Sequence, residues 1–252
     1  RHACCCVFAP NALEETPAKG IQRMRRELRL HSEKHLQIAF QMNHSFQNIR
    51  LYGILDLGYV SATECGKATR SMLEGGVQIL QLRAKNVPKD LLPPLARQIA
   101  PMCKEHNVPF IINDHPDLVA DCEADGVHVG QDDIPVAEAR RIAGPNKIVG
   151  LSTHSLDQAV AAVSQAPDYI GFGPLFATAT KPDYRPIGIK DISEAHRLVE
   201  LPVFCIGGIK RENLPDVLAA GARRVVIVSG ILQAKDPAKY TRECLALLKS
   251  GF

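Results

Sequence analysis

Short apolar runs alternate with longer segments of helical periodicity over most of the chain, from Leu51 onward. A short apolar run bounded by turn residues predicts a buried strand, and a longer amphipathic segment predicts a helix. The predicted strands are Leu51–Leu57, Val77–Leu82, Pro109–Ile112, Gly126–Val129, Ile148–Leu151, Tyr169–Phe172, Val203–Ile206 and Arg224–Val228. The predicted helices lie at residues 61–74, 88–106, 116–123, 135–143, 155–165, 190–199, 211–220 and 237–249.

This alternation indicates the fold class. A strand followed by a helix and then another strand forms a right-handed unit with parallel strands. Eight such units in about 200 residues favour an α/β protein of the (β/α)8 TIM-barrel type. An open doubly wound sheet is the alternative, because periodicity does not show whether the sheet closes.

The first part of the chain differs from the rest. Residues 1–50 show no strand pattern, so we expect an N-terminal extension that is poorly ordered or partly helical, followed by a barrel domain at 51–252. Met42 would be a natural start for that domain, so residues 1–41 are interpreted as an appendage or an upstream reading-frame extension.

Charge and hydropathy exclude two classes of partner. The net charge is +3, but residues 1–50 hold eight Lys/Arg and four Asp/Glu, which leaves 22 basic and 23 acidic residues for the remainder. A nucleic-acid-binding domain would carry its basic excess on the folded part, so nucleic acid is not expected. No apolar run is long enough to cross a bilayer, so no membrane span is expected either.

The eight cysteines do not form a recognisable framework. Cys4, Cys5 and Cys6 are adjacent, the other five are scattered, and no C-x-x-C pair occurs. Scattered cysteines in apolar surroundings are usually small buried hydrophobic residues. This usage predicts a reducing, cytoplasmic compartment.

Polar or small residues follow seven of the predicted strands. In a β/α barrel these positions meet on one face, where the chemistry takes place. They are Arg83 and Lys85, Asn113 and Asp114, Gly130 to Asp133, Ser152 to His154, the segment 171–181, Gly207 and Gly208, and Ser229 and Gly230. His128 lies within the end of the fourth predicted strand.

One group of these residues predicts a diphosphate and metal site. Asp114 and Asp133 follow neighbouring strands, and two carboxylates together with substrate phosphates are a usual Mg²⁺ environment. Arg83, Lys85 and Lys181 add positive charge for a diphosphate. Alternatively, the two cations after the second strand are a solvated surface pair, and Asp114 caps the helix that follows it.

A second group predicts another anion site. The segment from Gly171 to Lys181 breaks the sixth strand with two glycines and a proline, then presents Thr178, Thr180 and a lysine. Glycines let backbone N–H groups approach a ligand, and hydroxyls donate hydrogen bonds to phosphate. Gly208 and Ser229 add donors from the last two loops. The alternative is an ordinary polar loop.

No strong nucleophile or acid–base pair lies between the two predicted anion sites. The residues therefore indicate a reaction driven by stabilisation of a departing diphosphate rather than by attack from a side chain.

In this order and spacing the motifs resemble the thiamine-phosphate synthase family. The resemblance runs from Leu51 to about Leu248. The motifs are Gln81-Leu82-Arg83-Ala84-Lys85, Ile112-Asn113-Asp114, Ala124 to Asp133, Gly150-Leu151-Ser152-Thr153-His154, Gly171 to Lys181, Cys205 to Ile209 and Val228-Ser229-Gly230-Ile231.

The resemblance implies a transferase that couples 4-amino-2-methyl-5-(diphosphooxymethyl)pyrimidine to a thiazole phosphate, with release of diphosphate and a requirement for Mg²⁺. By the same resemblance, Lys181, Arg83, Lys85 and Ser152 are catalytic. The residues implied to bind the pyrimidine diphosphate are Gln81, Arg83, Lys85, Asn113, Ser152 and Lys181. Those implied to bind the thiazole phosphate are Thr178, Thr180, Gly208, Val228 and Ser229, and Asp114 and Asp133 are implied to hold Mg²⁺.

Two other functions are weighed against this one. A thiazole tautomerase shares the barrel and a histidine near His154, but usually lacks the full pattern seen at Thr178 to Lys181. A non-catalytic binding barrel would be expected to have lost one of Arg83, Asp114, Asp133 or Lys181, and all four are present. A homo-oligomer is compatible with each.

Overall fold

Eight parallel strands close into one barrel in the order of the sequence. The computed structural model describes residue 46 and residues 48–85, 87–178 and 184–250. The strands are β1 (Leu51–Asp56), β2 (Ile79–Arg83), β3 (Phe110–Asn113), β4 (Gly126–Val129), β5 (Ile148–Thr153), β6 (Tyr169–Phe172), β7 (Val203–Cys205) and β8 (Val225–Ile227). β1 pairs with both β2 and β8, which confirms the (β/α)8 TIM barrel and excludes the open sheet.

Helices connect most of the strands. Within the described residues the α-helices are α1 (Cys65–Glu74), α2 (Leu92–Glu105), α3 (Val136–Ala143), α4 (Leu156–Ala162), α5 (Ile192–Leu198), α6 (Leu214–Ala219), α7 (Ser229–Leu232) and α8 (Pro237–Ser250). None of the helices in this part of the chain is both long and apolar enough to cross a membrane.

One predicted helix is wrong. Residues 116–123 form a 3₁₀ turn at Pro116–Leu118 followed by further turns, and Glu123, with a φ of 52°, ends the segment before β4. A positive φ lies outside the right-handed helical region, so a helix does not extend across it.

The side chains of the strands alternate between two layers of core. Leu51 and Leu55 of β1 pack outward with the helices, whereas Tyr52 and Ile54 belong to a separate buried cluster inside the barrel. Alternation of this kind follows from the two-residue period of a strand. The inner cluster is rich in aromatic rings, and Tyr52, Tyr169 and Phe204 pack edge to face with centroids 5.4 to 5.8 Å apart.

The residues just before β1 also pack against the barrel. Phe46 is buried, and its ring centroid lies 5.5 Å from that of Tyr169. Its carbonyl oxygen accepts a hydrogen bond from Arg224 Nε at 3.2 Å. The chain divides into two units, residues 1–41 and 42–252, and the barrel belongs to the second. Residues 1–45, which hold most of the predicted extension, lie outside the described residues.

The five cysteines of the described residues are free thiols, and all are buried. Burial raises the pKa of Cys205 to about 12, so this thiol stays protonated at neutral pH. A protonated, buried thiol is a poor nucleophile. These cysteines therefore act as core residues, as the scattered spacing predicts.

Candidate active site

A cavity opens at the carboxyl ends of the strands. Eight of the predicted site residues line it: Gln81, Arg83, Asn113, Ser152, Thr178, Gly208, Val228 and Ser229. They come from β2, β3, β5 and the segments after β6, β7 and β8, which the closed barrel brings together. Two further predicted residues, Thr180 and Lys181, lie outside the described residues.

Some of the residues predicted to follow strands lie on the strands instead. Arg83, Asn113 and Ser152 belong to the ends of β2, β3 and β5, because these strands extend beyond their apolar runs. A polar residue at the end of a strand still pairs in the ladder, and Asn113 pairs in register with His128. Backbone pairing thus fixes these side chains more rigidly than a loop would.

Arg83 is held by a carboxylate that the sequence analysis missed. Its Nη1 lies 2.7 Å from Oδ2 of Asp56, and the two side chains are 14% and 3% exposed. The residues pair in register at the ends of β1 and β2. The other carboxylate oxygen of Asp56 accepts a hydrogen bond from the backbone N–H of Gly58. The signal was present, since a lone aspartate ended an otherwise apolar strand.

Lys85 and Asp114 form a second ion pair closer to solvent. Lys85 Nζ lies 2.7 Å from Asp114 Oδ2, with side-chain exposures of 48% and 19%. Asp114 has a φ of 64°, and its backbone N–H donates to the carbonyl of His128 at 2.9 Å. Positive φ at a residue other than glycine is uncommon and clusters at functional sites.

The second predicted metal ligand, Asp133, lies in the loop after β4. Its Oδ2 accepts a hydrogen bond from the backbone N–H of Gly130 at 2.6 Å. Among the described residues, no three His, Cys, Asp or Glu side chains are grouped closely enough to form a metal site by themselves. The two predicted ligands would need oxygen atoms from a substrate or water to complete a coordination shell.

A chain of hydrogen bonds crosses the floor of the cavity. Gln81 Nε2 donates to the Tyr52 hydroxyl at 2.8 Å, and that oxygen lies 2.9 Å from the Tyr169 hydroxyl. The Tyr169 hydroxyl lies 3.1 Å from His128 Nδ1, and His128 Nε2 lies 2.9 Å from Ser152 Oγ. Burial raises the pKa of both tyrosines, so both hydroxyls stay protonated. Sequence reasoning missed the tyrosines, because each resembles a core aromatic residue of a strand.

The loops after β6 and β7 pack against each other at the cavity wall. Gly208 has a φ of 66°, and a Cβ atom there would lie 2.7 Å from Cβ of Phe176. Gly207 has a φ of 96°, and its Cβ would lie 2.4 Å from Cα of Pro174. Only glycine accepts this backbone and this approach, so packing requires the predicted glycine pair.

These residues match a known family. The family model described as thiamine monophosphate synthase matches residues 51–231, well over half of the chain. This chain belongs to the thiamine monophosphate synthase family.

The relatives carry the name of that family. Thiamine-phosphate synthase from Shouchella clausii is 38% identical over 203 residues, which cover 80% of this chain and 97% of that protein. The enzyme of the same name from Synechococcus sp. strain WH7803 is 47% identical over 176 residues, or 70% of this chain. The match covers only 50% of the Synechococcus protein, so this chain spans about half the length of that relative.

Solved structures agree with the family assignment. Thiamine phosphate pyrophosphorylase from Pyrococcus furiosus superposes with a TM-score of 0.74 and 31% identity, over 81% of this chain and 97% of that one. A 3-hexulose-6-phosphate synthase from Salmonella typhimurium matches with a TM-score of 0.62 and 18% identity over 81% of this chain and 100% of that one, which shows the shared fold alone. The tautomerase alternative gains no support from these relatives.

In this member of the thiamine monophosphate synthase family, His154 supports the segment after β6. Its Nδ1 donates to the carbonyl of Gly173 at 2.6 Å, since a carbonyl oxygen only accepts. Its ring centroid lies 4.4 Å from that of Tyr184, whose hydroxyl lies 3.4 Å from Asp132 Oδ2. The segment is therefore held to the loops after β4 and β5 on both sides of residues 179–183.

Proposed function

We propose that this protein is a thiamine-phosphate synthase. It joins 4-amino-2-methyl-5-(diphosphooxymethyl)pyrimidine to 4-methyl-5-(2-phosphooxyethyl)thiazole and releases diphosphate. The observation that carries the proposal is the cavity in which motif residues from strands β2, β3, β5 and the segments after β6, β7 and β8 converge. Family membership supports the same reaction.

The reaction exchanges one bond to the pyrimidine methylene carbon for another. The carbon–oxygen bond to the diphosphate breaks and the diphosphate keeps the electron pair. The thiazole nitrogen then donates its lone pair to the resulting methylene cation, and a carbon–nitrogen bond forms. Departure of the leaving group is the demanding step, so groups that stabilise its developing charge contribute most.

Three cations are proposed to hold the diphosphate. Arg83 is anchored within the cavity by its buried ion pair, and a guanidinium donates to phosphate oxygens in a fixed geometry. Lys85 is more exposed and pairs with Asp114, and Lys181 follows the described part of the β6 loop in the sequence. Gln81, Asn113 and Ser152 are proposed to contact the rest of this substrate. The thiazole phosphate is assigned to Thr178, Thr180, Gly208, Val228 and Ser229.

Mg²⁺ is the proposed cofactor, held by Asp114 and Asp133. The ammonium of Lys85 lies against the Asp114 carboxylate, so that carboxylate already attracts a cation at this place. Two carboxylates suit Mg²⁺, which commonly binds proteins through one or two carboxylates and takes its other ligands from phosphate and water. When bound, Mg²⁺ would neutralise charge on the diphosphate oxygens.

The proposed setting is the cytoplasm, with small molecules as the partners. Free, buried cysteines fit a reducing compartment. Assembly into a homo-oligomer stays a prediction.

The test is a product assay on the purified full chain. The two substrates are supplied with and without Mg²⁺, and thiamine phosphate is followed after oxidation to its fluorescent thiochrome. Metal-dependent product is the expected result. Conversion of the thiazole alone, with no thiamine phosphate under either condition, would reject the synthase in favour of the tautomerase.

Two variants test the assigned roles in the same assay. Asp114→Asn is expected to raise the Mg²⁺ concentration needed for half-maximal rate, and Lys181→Ala is expected to lower kcat by about a hundredfold, the usual cost of one stabilising contact. Asp117→Asn and Lys89→Ala are matched controls, because these residues form a surface ion pair of their own. An unchanged metal titration in Asp114→Asn would remove this carboxylate from the metal site.

A further inference from the structure

We propose that Tyr169 is a positioning residue that holds His128 in the tautomer protonated at Nε2, so that Ser152 directs its own proton into the cavity. The proposal concerns the hydrogen-bonded chain of Gln81, Tyr52, Tyr169, His128 and Ser152, which is called the floor chain below. It rests on the proposed function only for the identity of the molecule that Ser152 meets.

Gln81, the first member of the floor chain, determines the direction in which its hydrogen bonds are donated. The amide nitrogen of Gln81 only donates, so the Tyr52 oxygen must accept from it. Within the described part of the protein, the Tyr52 hydroxyl makes two hydrogen bonds, one with Gln81 Nε2 and one with the Tyr169 hydroxyl oxygen. The Tyr52 proton therefore goes to Tyr169.

The donors and acceptors of the remaining members, from Tyr169 to Ser152, follow in the same way. The Tyr169 oxygen accepts from Tyr52, so its own proton goes to Nδ1 of His128. A neutral imidazole that accepts at Nδ1 carries its proton on Nε2. His128 Nε2 then donates to Ser152 Oγ, which leaves the serine proton to point onward. Ser152 lines the cavity, so that proton faces the bound molecule.

The opposite direction is unfavourable. If His128 donated from Nδ1 to Tyr169, then Tyr169 would donate to Tyr52. The Tyr52 oxygen would accept twice, and its own proton would have no acceptor among the described residues. Tyr52 is 1% exposed, so water does not replace the lost partner. A buried donor without an acceptor is costly, so the direction from Gln81 to Ser152 is preferred.

The backbone leaves room for the contact between Tyr169 and His128. A Cβ atom on Gly150 would lie 2.5 Å from both His128 Nδ1 and the Tyr169 hydroxyl oxygen. No side chain larger than hydrogen fits there without separating the pair. The two rings also stack, with centroids 5.5 Å apart and an angle of 28° between their planes. The hydrogen bond to Nδ1 is therefore constrained from two sides.

A fixed donor at Ser152 makes the cavity favour a substrate that places a hydrogen-bond acceptor there. A substrate with an acceptor at this position, such as a ring nitrogen of a pyrimidine, completes the chain. An analogue with a C–H or N–H group there would face the serine proton with no acceptor. A site built around a defined hydrogen bond discriminates strongly against a partner that cannot make it.

The test compares two variants that each remove one hydroxyl from the floor chain. In Tyr52→Phe, the Tyr169 hydroxyl is fully buried and keeps His128 Nδ1 as its acceptor among the described residues, so Tyr169 still donates there. In Tyr169→Phe, His128 loses that donor. The tautomer of His128 is measured by ¹⁵N NMR on the full chain at a pH where the ring is neutral, with His128→Gln to assign its signals. We expect the Nε2–H tautomer in the wild type and in Tyr52→Phe, and loss of that preference in Tyr169→Phe.

Kinetics supply the second measurement. In Tyr169→Phe, kcat/KM for the pyrimidine diphosphate should fall by about tenfold, the size of one ordinary hydrogen bond, while the KM for thiazole phosphate stays unchanged. A merely structural tyrosine would produce the same kinetic change in both variants and would leave the His128 signals unmoved.

The outcomes separate this inference from the proposed function. An Nδ1–H tautomer in the wild type overturns it, whether or not the variants fold, and so does an unchanged tautomer in Tyr169→Phe. An Nε2–H signal that is lost in Tyr169→Phe supports it even if no thiamine phosphate forms, because the NMR measurement needs no substrate. Failure of the product assay would then count against the synthase alone.

Discussion

Asp56→Asn is the substitution that best isolates the buried ion pair of the cavity. Asparagine keeps the size of the side chain and an oxygen that accepts from the backbone N–H of Gly58. It removes the negative charge 2.7 Å from Arg83 Nη1. If the pair serves catalysis, the variant should lose activity because the guanidinium is no longer fixed where the diphosphate binds.

The magnitude follows from the burial of the pair. A hydrogen bond to a charged group contributes about 1.5 to 3 kcal/mol, and the side-chain exposures of 3% and 14% leave little screening by water. Each 1.36 kcal/mol is tenfold in rate, so we expect kcat/KM to fall roughly ten- to a hundredfold. The free energy of unfolding should fall by about 2 kcal/mol, since the substitution removes a charge-assisted hydrogen bond between two largely buried side chains.

The assay is steady-state thiamine phosphate formation with varied pyrimidine diphosphate, together with urea unfolding. Asp168→Asn is the matched control, because Asp168 pairs with Arg140 at 3.0 Å just before β6, at the opposite ends of the strands. It should lower stability by a similar amount and leave kcat/KM unchanged.

A double-mutant cycle decides whether Asp56 acts through Arg83. If it does, the double variant Asp56→Asn with Arg83→Gln should be no slower than Arg83→Gln alone. Losses that add in the double variant would refute the reasoning, and so would full activity in Asp56→Asn.

Three further predictions follow from the packing and charge of the barrel. Gly150→Ala should lower the free energy of unfolding by about 1 to 3 kcal/mol, because its Cβ would lie 2.2 Å from Cζ of Tyr169. Gly66→Ala should instead raise the free energy of unfolding by up to about 1 kcal/mol, since an added Cβ there meets no described atom within 4 Å and alanine favours a helix. Chemical denaturation measures the loss of stability in the first variant and the gain in the second. Burial and the nearby Arg223 lower the pKa of His196 from 6.5 to about 4, so the unfolded chain binds the extra proton between these pH values. Stability should therefore fall on acidification through that window, by up to about 3 kcal/mol, and His196→Gln should abolish this part of the slope in unfolding measured from pH 7 to pH 4.

The fold was predictable because the strands are continuous apolar runs. Gly126–Val129 and Tyr169–Phe172 have the predicted bounds, and the other strands differ by a few residues at their ends. Closure was inferred from the number of units, and the pairing of β1 with β8 confirms it. The ends of strands were less predictable, because residues such as Ser152 continue the ladder with polar side chains.

Much of the site was predictable for the same reason. Polar residues that follow apolar strands converge where parallel strands end together. Arg83, Asn113 and Ser152 accordingly line one cavity. Asp56 and Tyr169 were missed because their roles depend on neighbours in the sheet. Register pairs Asp56 with Arg83, and the tyrosine reaches His128 across β5 through the space above Gly150. The lone aspartate at the end of β1 marks Asp56, but no local pattern encodes its pairing with Arg83 or the contact of Tyr169 with His128.

The two described cations assigned to the diphosphate are anchored at different depths, and the difference has a functional consequence. Arg83 pairs with a carboxylate that is 3% exposed, so parting them would leave a buried charge, and the pair must persist when substrate binds. Lys85 pairs with Asp114 where the side chains are 48% and 19% exposed, and ion pairs near solvent contribute about 1 kcal/mol or less. Exchange of Lys85 from Asp114 to a diphosphate oxygen therefore costs little, and it would free the carboxylate for a divalent cation. Under the proposed function, the barrel thus combines one cation that is fixed before substrate arrives with another that can change partner as it binds.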